Sequence, residues 1–86
     1  MIGKYSGVVY DSHAVGRLGS RRVSTAQVER AIANPDTLTP STNPPGRMIA
    51  EQRTATGATL RVVYVERETA TGDTIAYVIT AMRIGR

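Results

Sequence analysis

The chain has 86 residues and a net charge of +4, a length that suits one compact domain and is too short for two. It has no Cys and a single His, which excludes a disulfide framework and a thiolate metal site and leaves no basis for a structural zinc. Of its 11 basic residues only Lys4 is Lys and the rest are Arg; a guanidinium fork grips phosphate by two hydrogen bonds, so an anionic partner fits, as does a general substitution of Arg for Lys.

Residues 1–10 read as a lead-in to a single domain spanning 1–86. Met1 to Gly7 has no charged segment followed by an apolar core, and no apolar run approaches a membrane span, so the chain reads as cytoplasmic with no membrane partner. Val8, Val9 and Tyr10 can form a brief extended segment. Asp11 or Ser12 then caps a short helix through Leu18, with Ala14 and Leu18 on one face and His13 and Arg17 on another at i, i+4 spacing. Gly16 weakens this helix and Gly19-Ser20 ends it.

The second helix has a stronger signature. Ser24 is an N-cap, Gln27 completes a capping box, and Val23 before the cap can staple onto Val28. Val28, Ala31 and Ile32 form one apolar stripe, while Glu29 and Arg30 face water. Asn34 precedes Pro35, so the helix ends near Ala33. A turn-rich loop is expected over Pro40 to Gly46. Three runs after it read as strands, near 47–54, 59–66 and 74–83, with a possible fourth at Thr37 to Pro40. Thr-Gly pairs at 56–57 and 71–72 favour antiparallel hairpins. Leu60 to Val65 and Ile75 to Ile79 are apolar on both faces, which marks central strands. With no Phe or Trp, the core falls to Val, Ile, Ala, Leu and Tyr. The expected fold is α+β, two N-terminal helices followed by a three- to four-stranded antiparallel sheet.

These residues carry a resemblance. His13-Ala14-x-x-Arg17-x-x-x-Arg21-x-Val23-Ser24, followed by Val28, Ala31 and Asn34-Pro35, resembles the opening of domain-of-unknown-function family 4258. Gly46-Arg47, Leu60-Arg61-Val62-Val63-Tyr64, and Val78-Ile79-Thr80-Ala81 with Arg83 are similar to that family and to BrnT-type toxins. The likeness covers Ser12 to Arg83. One departure is that Gly is common where Arg22 stands, which bears on the backbone of the corner between the helices and on the carry-over of Arg21.

The resemblance implies a RelE-like fold within the barnase, colicin and RelE superfamily, whose better-known members cut RNA without metal. There the ribose 2′-hydroxyl attacks the adjacent phosphorus, so the site needs proton acceptor, proton donor and cations beside the phosphorane. Histidine is the side chain whose reference pKa lies near neutrality, which makes His13 the candidate acid or base. Arg17 and Arg61 would hold phosphate, and Thr80 matches a polar residue on the superfamily's last strand. Arg21, Arg22, Arg47 and Arg83 are the candidate RNA-binding residues. No cofactor is implied.

Each residue also fits a plainer role. His13 can serve the helix start, Arg17 can pair with Asp11 or Glu29, Arg61 can pair across strands with Glu51, and Thr80 can be there for its β propensity. The acids show no D-x-D or E-x-x-H spacing, and there is no glycine-rich phosphate loop and no G-x-S-x-G. Three readings remain: a metal-independent endoribonuclease, such as the toxin of a toxin and antitoxin pair; a noncatalytic RNA- or DNA-binding relative; and a protein-interaction module whose arginines meet an acidic antitoxin or immunity protein. The oligomeric state is not legible.

Overall fold

The computed structural model describes residues 3–42 and 45–84. In chain order these form β1 (Val8–Tyr10), α1 (Ser12–Ser20), α2 (Thr25–Ala33), β2 (Thr37–Thr42), β3 (Pro45–Arg53), β4 (Thr59–Glu68) and β5 (Thr74–Ile84). Asp11 caps α1 by accepting the His13 N–H at 3.1 Å. Ser24 and Gln27 form the reciprocal capping box at the start of α2, so both helices begin where side-chain oxygens satisfy their free amides. Among the described residues no helix is long and apolar enough to cross a membrane.

The sheet is five-stranded and mixed, in the order β1-β5-β4-β3-β2. Strands β2 to β5 form an antiparallel meander, whereas β1 runs parallel to β5, with Val8, Val9 and Tyr10 opposite Ala76, Tyr77 and Val78. This overturns the expectation of two N-terminal helices followed by a three- to four-stranded antiparallel sheet of RelE-like type. A strand precedes the helices: Val8, Val9 and Tyr10, read from the sequence as a brief extended segment, form β1, and Tyr5 ahead of them is buried. Three residues are too few for a period-2 pattern to declare itself, and a parallel partner at the other end of the chain leaves no hairpin signal. The expected loop at 40–46 is also narrower than read. β2 extends to Thr42 and β3 starts at Pro45, where the two residues face each other; Asn43 and Pro44 lie outside the described residues. Pro40 is tolerated because β2 is an edge strand, and its pairing shifts between Pro40 and Thr42.

Both helices pack on one face of the sheet. Ala14 and Leu18 of α1 and Val28, Ala31 and Ile32 of α2 are buried against Ala50, Leu60, Val62, Tyr64, Ala76, Val78 and Ala81. The three-residue step from Val78 to Ala81 marks a bulge: Val63 pairs with Thr80 but Tyr64 pairs with Val78, leaving Ile79 as an extra residue. Past it the alternation flips, so Thr80 and Met82 turn to the face away from the helices. On that face Val63, Val65, Tyr77 and Ile79 remain only half-buried.

Tyr5 anchors the start of the chain. Its ring meets Tyr64 edge-on, with centroids 5.6 Å apart, and its hydroxyl donates to Glu66 Oε2 at 2.6 Å. Because that donation uses its one proton, the 3.0 Å contact between the two hydroxyls has Tyr64 as donor. Lys4 Nζ lies 2.9 Å from the same Glu66 oxygen. The Tyr5 hydroxyl, and then Lys4, hold the Glu66 carboxyl below the usual carboxylate range, and burial pushes the Tyr5 hydroxyl far up.

Tyr5→Phe strands a buried Tyr64 donor and one carboxylate partner, at a cost of about 1–3 kcal/mol. Since the native Glu66 pKa is depressed, its contribution is complete above the unfolded value of about 4.3 and is lost as pH falls through the native value. Urea titrations should therefore show a large gap between wild type and Tyr5→Phe at neutral pH and a smaller one at about pH 3. A pH-independent gap would place the stabilisation in the hydroxyl contact with Tyr64 and not in the bond to Glu66.

Candidate functional site

The site is built where α1 crosses β5. Asp11 holds the two together: its backbone N–H donates to the Val78 carbonyl at 3.0 Å, one carboxylate oxygen takes the His13 N–H, and the other takes the Tyr77 hydroxyl at 2.7 Å. The Tyr77 hydroxyl, ahead of the His13 amide, holds the Asp11 carboxyl below its ordinary value. The same bond raises the Tyr77 hydroxyl. The Arg67 guanidinium sits 4.2 Å from the centroid of the Tyr77 ring, a cation over an aromatic face.

With its first turn fixed in this way, α1 carries His13 and Arg17 one turn apart on the face that overhangs β5. One turn further, Arg21 is the C-cap, and its Nη1 donates to Thr80 Oγ1 at 3.2 Å and to the Ala81 carbonyl at 3.0 Å. Asp11, His13, Arg17, Arg21, Ile79, Thr80 and Met82 line one recess of about 370 Å³. Its floor is apolar and its wall cationic. Thr80 oxygen accepts from Arg21, which leaves its hydroxyl proton free to donate, and a guanidinium has five N–H donors, so Arg21 keeps several for a ligand. His13 and Arg17 are exposed. Together these groups can hold an anion and offer it an imidazole.

The sequence-derived residues divide accordingly. His13, Arg17, Thr80 and Arg21 share the recess. Arg61 does not line it: it stands on β4 opposite Met82, with its Nε 2.7 Å from Glu51 Oε2 in the cross-strand pair. Arg47 is on β3, two strands from β5 in the sheet order. Arg83 donates through Nη2 to the Arg22 carbonyl. Among the described residues the ion pairs are Lys4 with Glu66 and Arg61 with Glu51, so Arg17 is paired with neither Asp11 nor Glu29. Glu29 instead accepts from the Tyr10 hydroxyl at 3.1 Å. Sequence reasoning missed Tyr77, Ile79 and Met82 as neighbours of the site, because the bulge that turns Thr80 and Met82 outward leaves no mark in the hydrophobic alternation.

Arg22 holds the corner between the helices. Val23 N–H donates to the Leu18 carbonyl at 3.0 Å and Arg22 N–H to the Gly19 carbonyl at 3.3 Å, and Val23 and Leu18 are both buried. This is a Schellman cap with its apolar contact, in which the residue at the Arg22 position is left-handed and usually Gly. Arg22 adopts φ 57°. The departure from Gly is thus one of side chain, with the backbone in the region a glycine takes most readily.

A family model described as domain of unknown function (DUF4258) matches residues 10–83. No curated protein and no solved structure matches the chain.

Left-handed geometry costs a non-glycine residue roughly 1–2 kcal/mol, of which the greater backbone freedom of an unfolded Gly returns about 0.5–1. Arg22→Gly should therefore raise stability by about 0.5–1 kcal/mol in urea or thermal unfolding. A loss of stability would show that the Arg22 side chain makes contacts that outweigh the backbone strain.

Proposed function

The chain belongs to the domain-of-unknown-function family DUF4258, and we propose that this member is a metal-independent endoribonuclease-like domain acting on RNA phosphodiesters in the cytoplasm. The reading is carried by one observation: His13, Arg17, Arg21 and Thr80, drawn from α1 and β5, line a single recess. Helical spacing alone aligns His13, Arg17 and Arg21; what local geometry does not bring about is that Thr80 of β5 joins them.

In this mechanism the scissile phosphate lies between Arg17 and Arg21, whose charges offset the charge that builds on the phosphorane oxygens. His13 takes the proton of the attacking 2′-hydroxyl and returns it to the departing 5′-oxygen, one imidazole serving both transfers in turn. The Thr80 hydroxyl donates to a phosphate oxygen. The apolar floor of Ile79 and Met82 suits a base edge or ribose. Arg61, held by Glu51, takes no part in the chemistry. An acidic antitoxin or immunity protein would inhibit by placing carboxylates on the same guanidiniums.

The second reading is a noncatalytic RNA- or DNA-binding role; the Asp11 carboxylate in the wall of the recess opposes a phosphate under either reading. Incubation of RNA with the protein in chelator separates the two. Cleavage should proceed and leave 2′,3′-cyclic phosphate ends. His13→Ala should slow it roughly 10²- to 10⁴-fold with binding retained, and Arg17→Ala should weaken both. Cleavage by His13→Ala at the wild-type rate, or no cleavage by wild type, removes the catalytic reading.

A further inference from the structure

A second recess, of about 410 Å³, opens on the helix side of the sheet, and its wall includes Arg30 of α2, Arg53 at the end of β3 and Arg83 of β5. Its floor includes the buried Leu60. The other polar groups there are already committed to the fold. Gln27 belongs to the capping box of α2. Gln52 Nε2 donates to the Asn34 carbonyl at 2.9 Å, just past the end of α2. The Asp36 carboxylate accepts the Arg53 backbone N–H at 2.6 Å. Arg30 and Arg53 are exposed, and neither is in an ion pair among the described residues. Three guanidiniums against one engaged carboxylate make this a cationic cleft.

Hydrogen bonds tie both recesses to the corner between α1 and α2. Arg21 reaches from that corner to Thr80 in the first recess and to the carbonyl of the buried Ala81, and Arg83, in the wall of the second, donates back to the Arg22 carbonyl at the same corner. Arg22 lies between them in its left-handed conformation. A strained arginine where glycine would cost less, next to Arg21 and with its carbonyl bonded by Arg83, fits a side chain retained for what it binds.

We propose that the second recess is a phosphate subsite for the same RNA strand, which crosses the α1–α2 corner with one phosphate among His13, Arg17 and Arg21 and a later or earlier one among Arg30, Arg53 and Arg83. The inference rests on the first recess being a phosphate site. A basic groove that follows the backbone is the usual way a single strand is held without base reading. Its length gives the subsite a signature: a trinucleotide fills one recess, and a strand of about twelve nucleotides spans both.

The test is fluorescence anisotropy with end-labelled single-stranded RNAs of those two lengths, over a salt series, for His13→Ala, which binds without appreciable cutting, and for the same protein carrying the double change Arg30→Ala/Arg53→Ala. Both side chains are exposed, and a melting curve confirms that the variant folds. For the longer RNA the double variant should lose at least about tenfold in affinity, and the slope of log affinity against log salt should shrink by about 0.7 for each phosphate contact removed. Trinucleotide affinity should fall far less, because the first recess is untouched and binds it alone. Equal affinity and slope for the two proteins on the longer RNA overturn the subsite, as does a wild type that binds a polyglutamate peptide but no RNA. The two proposals fail separately. Binding that depends on Arg30 and Arg53, without any cleavage by wild type, removes the catalytic reading and keeps the subsite. Cleavage by wild type combined with arginine-independent binding removes the subsite alone.

Discussion

The parallel pairing of β1 with β5 is the constraint from which the rest of the molecule follows. It joins the two ends of the described chain, and because β1 leads directly into Asp11, it fixes where α1 begins and over which strand it lies. The three residues of β1 could not hold this register alone. Ladder bonds extend it, from Ser6 N–H to the Thr74 carbonyl at 2.9 Å and from Ala76 N–H to the Gly7 carbonyl at 3.1 Å, and Tyr5 buries its ring beside Tyr64. Moving the pairing by one residue would carry Val8 and Tyr10 off the core and Val9 onto it. It would also take Asp11 away from Val78 and Tyr77, and with it the cap that aims His13 and Arg17.

Charge is distributed by the same logic. The acids that lie among the arginines are largely bound into local structure: Asp11 caps a helix and takes the Tyr77 hydroxyl, Asp36 takes a backbone amide, and Glu29 takes a tyrosine. Each of these carboxylates is spent on an uncharged donor. The guanidiniums of Arg17, Arg30 and Arg53 are consequently left without an ion pair among the described residues.

What could be read in the sequence was local. Ser24 and Gln27 declared the start of α2, and the i, i+4 spacing of His13 and Arg17 put them on one helix face, because capping and helical periodicity act over a few residues. The doubly apolar runs declared β4 and β5 as inner strands. What could not be read was long-range. Val8 to Tyr10 could be read as extended, but their parallel place beside β5 is set by a partner at the far end of the chain, and the bulge at Ile79 depends on register against β4. Arg61 was assigned to phosphate and to Glu51 with equal reason, since strand register alone decides between them, and register put Glu51 opposite it. Arg30, Arg53 and Arg83 lie on three separate elements, so no spacing rule links them.

The first recess exists because two neighbouring strands differ in length. β1 stops opposite Val78, while β5 continues to Ile84, and the space beside the unmatched part of β5 is roofed by α1 instead of filled by a strand. Its size is therefore a property of chain length and hardly of side-chain identity. Point substitutions can retune the charge of such a cleft without closing it, whereas a two-residue insertion before Asp11 would extend the pairing and fill it with backbone. Within a lineage of such domains, insertions and deletions at this one junction offer a route to a changed ligand size that leaves the buried core untouched.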